Sequence, residues 1–172
     1  MQLRSDTALR ATIKSLTDVV LPAVNPDNGP ALEQLQIAIG LLTLLVERMP
    51  LEFRYDCDEL QRLNQFAQQL GEEVTETREM LGECVQNSDA VLSRAKASPD
   101  EVVAAVRVLR EATSQAVSTV YASGDDDVRQ RVSELVLSHA EQQVTRERAW
   151  LLPQGWEANP EALPAIEALL EE

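Results

Sequence analysis

Between Leu60 and Ala95, the residues Leu60, Leu63, Ala67, Leu70, Val74, Thr77, Leu81, Cys84, Ser88, Val91 and Ala95 recur in steps of three and four. That spacing returns side chains to one face of an α-helix and marks a coiled-coil-like seam. A strand needs a period of two, and no stretch of the chain shows it with β-branched residues. The seam therefore commits the chain to an all-α fold. One straight helix over 56–97 would be about 63 Å long at ~1.5 Å per residue, whereas a compact domain of this length is only about 40 Å across. A break is expected, and Gly82 with Asn87-Ser88-Asp89 gathers the residues that favour helix ends.

The remaining segments read as helices too. Leu9, Ile13, Leu16 and Val20 form the stripe of a first helix that opens near Ser5 and ends at Leu21-Pro22. Asn25 to Pro30 is a loop dense in proline, glycine and Asn/Asp. Pro30 suits the first position of a second helix, reaching Arg48, whose all-round apolarity from Ile37 to Val46 predicts the most buried helix of a bundle. Asp56 and Glu59 have the spacing of a capping box, and Ser98-Pro99-Asp100-Glu101 is the clearest helix start in the chain. Val102, Val106, Leu109, Thr113, Ala116 or Val117, and Val120 follow as one stripe, with Gly124 closing that helix. Asp125 to Asp127 then open a helix with Val128, Val132, Leu135 and His139 inward, beyond which the stripe thins to Gln142, Gln143, Thr145 and Arg146. The expectation is an antiparallel bundle of about five to seven helices over 1–150. An acidic, proline-containing tail over 151–172 follows, with a short terminal helix.

Charge narrows the function classes. With 15 basic and 29 acidic residues the net charge is -14, which repels nucleic acid and anionic membranes. The longest apolar run, Ile37 to Val46, is about half of the ~20 residues a membrane span needs. The two cysteines, Cys57 and Cys84, suggest no disulfide framework or zinc site, and the N-terminus has no apolar leader core, so a reduced cytoplasmic protein is expected. There is no Gly-x-Gly-x-x-Gly, phosphate-binding loop or nucleophile elbow. The acids of 56–59 and 125–127 fit helix N-termini better than a calcium loop. His139, the only histidine, lacks the Glu-x-x-His pattern of carboxylate metal bundles because Val136 stands three residues before it. It is retained as a candidate polar site, with no catalytic residue, metal ligand or cofactor expected.

Arg146, Arg148, Trp150, Leu151 and Trp156 form the candidate interaction patch, because tryptophan and arginine are enriched among interface hot spots. The alternative is that both tryptophans plug the end of the bundle.

Leu9 to Arg48 contains the stretch Val20-Leu21-Pro22-Ala23 and, after the loop, the apolar run Ile37 to Val46 before Glu47-Arg48. This order, about a quarter of the chain, resembles a family of small uncharacterised bacterial all-α proteins that accompany acyl-CoA dehydrogenase and aminoglycoside-phosphotransferase-like genes. The loop is longer here, and the likeness ends by about Leu70. The resemblance implies an accessory role beside an enzyme of acyl or phosphoryl metabolism. Together these readings lead to a non-catalytic helical interaction or accessory protein, a homo-oligomer or one with a protein partner. Self-association is expected through the heptad face or the thinly apolar end of the helix from Asp127. A small-molecule-binding bundle or enzyme with a pocket between helices, and an acidic nucleic-acid mimic, are the alternatives.

Overall fold

The computed structural model describes residues 4–94, 97–123 and 125–170, which form seven α-helices and no strand. The helices are α1 (Ser5–Ser15), α2 (Gly29–Arg48), α3 (Glu52–Glu73), α4 (Arg78–Leu92), α5 (Pro99–Ser123), α6 (Asp126–Leu151) and α7 (Ile166–Leu169). The all-α class follows from the sequence as expected. The chain divides into two compact units, one running from α1 through Glu52 and including Glu147–Leu169, the other comprising Phe53–Arg146. The last turn of α6 and the tail group with the N-terminal segment.

In the Phe53–Arg146 unit, α3, α4, α5 and α6 up to Arg146 run antiparallel in succession. Asn64 on α3 donates to Asp89 on α4 at 2.7 Å. Glu73 near the end of α3 pairs with Arg131 near the start of α6, while Asp58 near the start of α3 pairs with Arg146. The core holds Leu60, Leu63, Ala67 and Leu70 of the seam, joined by Leu81, Val85, Val102, Leu109, Ala116 and Val132. The heptad face is thus spent on closing this bundle, which removes it as a surface for self-association.

The seam breaks, but earlier than expected. Val74 takes extended geometry (φ -120°, ψ 92°) after α3, and Thr75–Thr77 form a short 3-10 turn. Three β-branched residues in four positions, Val74, Thr75 and Thr77, weaken the helix there. Arg78 then secures the end by donating to the Gly71 and Glu72 carbonyls at 3.0 and 3.2 Å. Around Asn87-Ser88-Asp89 the helix persists because the polar side chains find partners without leaving it: Ser88 donates to the Cys84 carbonyl at 2.6 Å, and Asp89 accepts from Asn64. The break puts Cys57 and Cys84 on different helices, and both are free thiols.

Helix starts follow their side chains. Ser98 and Glu101 form a reciprocal capping box, the Ser98 amide donating to Glu101 Oε2 at 2.8 Å and the Glu101 amide donating to Ser98 Oγ at 3.3 Å. Asp125 caps α6 by accepting from the Val128 amide at 2.8 Å. Asp56 does not cap, since α3 starts at Glu52 and already includes it.

In the other unit, α1 continues through a π-turn (Leu16–Val20) and a 3-10 turn (Leu21–Ala23), then packs on α2. Among the described residues its fully buried apolar side chains are Val46, Ala149 and Ile166. The sequence reading of α2 as the most buried helix is overturned. Only Val46 and Arg48 of α2 are buried, and the composition that marks a central helix here leaves apolar side chains at the surface.

Candidate functional site

The five residues of the expected patch are not gathered on one unit. Arg146 belongs to the Phe53–Arg146 unit and is 1% exposed. Its Nε lies 2.9 Å from Asp58 Oδ2, Nη1 donates to Gln143 Oε1 at 2.9 Å, and Nη2 donates to the Tyr55 carbonyl at 3.1 Å. Its guanidinium also lies 4.2 Å from the centre of the Tyr55 ring. Arg146 is therefore a structural cation and not a surface anchor. The heptad carried the signal: Arg146 stands seven residues after His139, on the continuation of the inner face of α6.

The other four residues fall in the α1–α2 unit. Arg148 makes a two-pronged pair with Glu157 at 2.9 and 2.8 Å, whose hydrogen bonds hold the Glu157 pKa down to about 2. Trp150 is half-buried beneath Arg48, whose guanidinium is 5.5 Å from its ring centre. Arg48 also donates to the Trp150 and Ala149 carbonyls at 2.8 and 3.2 Å, a cation closing the C-terminal end of α6. Leu151 is exposed, and Trp156 is 70% exposed.

The larger apolar surface lies on α2. Ile37, Leu41 and Leu45, at successive steps of four, are 41%, 46% and 54% exposed. Steps of four keep them on one face. Gln34 to Val46 contains no charged residue. The opposite face, with Val46 buried and Leu32, Leu35 and Ile39 partly buried, is the one turned inward. By length and composition α2 also passes as a membrane-crossing helix. Its uncharged stretch, however, covers only about 20 Å at ~1.5 Å per residue, against a hydrocarbon core of about 30 Å.

The Phe53–Arg146 unit contains a cavity of about 420 Å³ between α3, α5 and α6. Phe66 and His139 stack there, ring centres 4.5 Å apart and planes 11° from parallel. Leu63, Val117 and Val136 supply further apolar wall, while Glu59, Arg110 and Thr113 bring polar groups to it. Burial lowers the His139 pKa, and the positive charges of Arg146, Arg110 and Arg62 lower it further, which favours the neutral imidazole. No described residue makes a hydrogen bond to it. Glu59 is closed by an ion pair with Arg110, and Asp58 is held between Arg62 and Arg146. Asp58 and Glu59, two acids of the 56–59 cluster, are thus engaged by arginines.

Sequence reasoning singled out His139 but missed Phe66 and Arg110. The available signal was an inner face that turns small or polar, Thr113 on α5 and His139 and Gln143 on α6, where the side chains carry too little volume to close the space. Comparison with family models, with curated proteins and with solved structures gives no match.

Proposed function

We propose that the chain is a non-catalytic helical interaction protein that pairs with a second copy of itself through Ile37, Leu41 and Leu45 of α2. The observation that carries this reading is the exposure of an aliphatic, charge-free stripe on a unit with few buried apolar side chains. Contiguous exposed apolar surface on a protein marks an association site.

A second copy suits the stripe for two reasons. Residues at steps of four form the ridge that interdigitates with its own kind when helices cross at about -50°. An antiparallel two-fold crossing at Leu41 brings Ile37 to Leu45 of the second copy and carries the two Glu33 side chains to opposite ends of the contact. A parallel alignment would bring the two Glu33 side chains to the same end. For a chain of net charge -14, pairing along an uncharged stripe buries contact without opposing like charges. The stripe is smaller than the ~800 Å² per partner of a standard interface, so the expected dimer is reversible. The stretch that resembles the accessory family, Leu9 to Arg48, is also the one that carries the stripe, which fits an accessory role beside an enzyme.

Sedimentation equilibrium tests this. The average mass of the wild-type chain is expected to rise with concentration toward that of a dimer. Leu41→Asp should remain monomeric with unchanged helical circular dichroism, because the new carboxylate would be desolvated only in the dimer. A wild type that stays monomeric at millimolar concentration, or a Leu41→Asp variant that associates like wild type, overturns the reading.

A further inference from the structure

We infer that the cavity between α3, α5 and α6 is a binding site for a small hydrophobic monocarboxylate, its apolar body against Phe66, Leu63 and Val117 and its carboxylate toward Arg110 and His139. This inference concerns the Phe53–Arg146 unit and is independent of pairing through α2.

Three observations support it. The volume, about 420 Å³, is within the range of small-molecule sites, about 300–1,000 Å³. The lining has the composition such sites share, an aliphatic and aromatic wall interrupted by a few polar groups. The His139 imidazole is stacked flat on Phe66, which fixes its plane, while its hydrogen-bonding capacity is unused by the described residues. An imidazole in this position is a ready donor to an oxygen acceptor.

The sign of the ligand charge follows from the ion pairs. Among the described residues the charged lining is Arg110 and Glu59, which are paired with each other, and the further charges acting at His139 are the guanidinium groups of Arg62 and Arg146. The site is locally positive inside a strongly acidic protein. Arg110 is half-exposed, so it can accept a second carboxylate without first losing Glu59. A cationic ligand would find no unpaired carboxylate there. The mixed apolar and cationic lining also separates this class from a polar anion such as inorganic phosphate, which has no surface to bury against Phe66.

The test uses the full-length chain and its single histidine, whose imidazole resonances can be assigned without ambiguity. 2-Naphthoate is titrated in parallel with 2-naphthylmethylamine and inorganic phosphate. Naphthoate is expected to shift the His139 signals saturably and to bind at least about tenfold more tightly than either of the others. Ser114→Trp, which puts an indole at the exposed rim of the cavity, should weaken naphthoate by about tenfold or more with helical circular dichroism unchanged. His139→Gln, which keeps a donor, should retain more affinity than His139→Leu. Absence of any His139 response, a preference for the amine or phosphate, or naphthoate binding untouched by Ser114→Trp overturns the inference.

Discussion

Replacing Arg146 with alanine is expected to destabilise the Phe53–Arg146 unit by about 3–4 kcal/mol, within the range of about 3–5 kcal/mol for breaking a buried ion pair from one side. The side chain is almost fully enclosed and serves Asp58, Gln143, the Tyr55 carbonyl and the Tyr55 ring at once. Without it, Asp58 keeps only Arg62 at 2.9 Å, and the space under the Tyr55 ring is left unfilled. With a urea dependence of about 2 kcal/mol/M for a protein of this size, the unfolding midpoint should fall by roughly 1.5–2 M. Arg146→Lys should recover only part of the loss, because an ammonium cannot fork between a carboxylate and a carbonyl while lying flat on a ring. A midpoint shift below about 0.5 M for the alanine variant would contradict the placement of Arg146 as a buried structural cation.

The second large effect separates the two apolar segments that look most alike on paper. Leu109→Ala removes a fully buried side chain from the centre of α5 and should cost about 3 kcal/mol, within the 2–5 kcal/mol seen when a core leucine is truncated. Leu41→Ala, in the richest aliphatic run of the chain, should cost less than about 1 kcal/mol at concentrations where the protein is monomeric, since its side chain is 46% exposed. Urea unfolding of both variants at one low concentration makes the comparison. If Leu41→Ala were as costly as Leu109→Ala, α2 would be a core helix, as its composition alone suggests.

That contrast shows where the sequence is legible. Periods of three and four fix helices, and the capping box at Ser98 and Glu101 and the cap at Asp125 place α5 and α6 correctly, because these signals depend on neighbours within one turn. What the period cannot report is which apolar face meets another helix. An all-round apolar α2 has the same pattern whether it is surrounded or exposed, so the pattern alone does not place it. The break in the seam was misplaced for a related reason. Gly82 and Asn87-Ser88-Asp89 carry low helix propensity, yet bonds from Ser88 to Cys84 and from Asn64 to Asp89 hold them helical, whereas Val74 yields where Arg78 can close the end. Of the candidate site, His139 and Arg146 were visible as polar residues on an inner face, but their partners Phe66, Tyr55 and Asp58 lie about 70–90 residues away in sequence and are brought close only by the antiparallel register of α3 and α6.

Disulfide trapping tests the central claim about α2 most directly. In a background carrying Cys57→Ser and Cys84→Ser, single cysteines are placed at Ile37, Leu41 or Leu45 and oxidised under mild conditions. A two-fold antiparallel crossing puts Leu41 next to itself, so Leu41→Cys should form a covalent dimer rapidly. Ile37→Cys and Leu45→Cys should each do so poorly alone and well when mixed. Equal and slow crosslinking at all three positions would show that the stripe does not pair with itself.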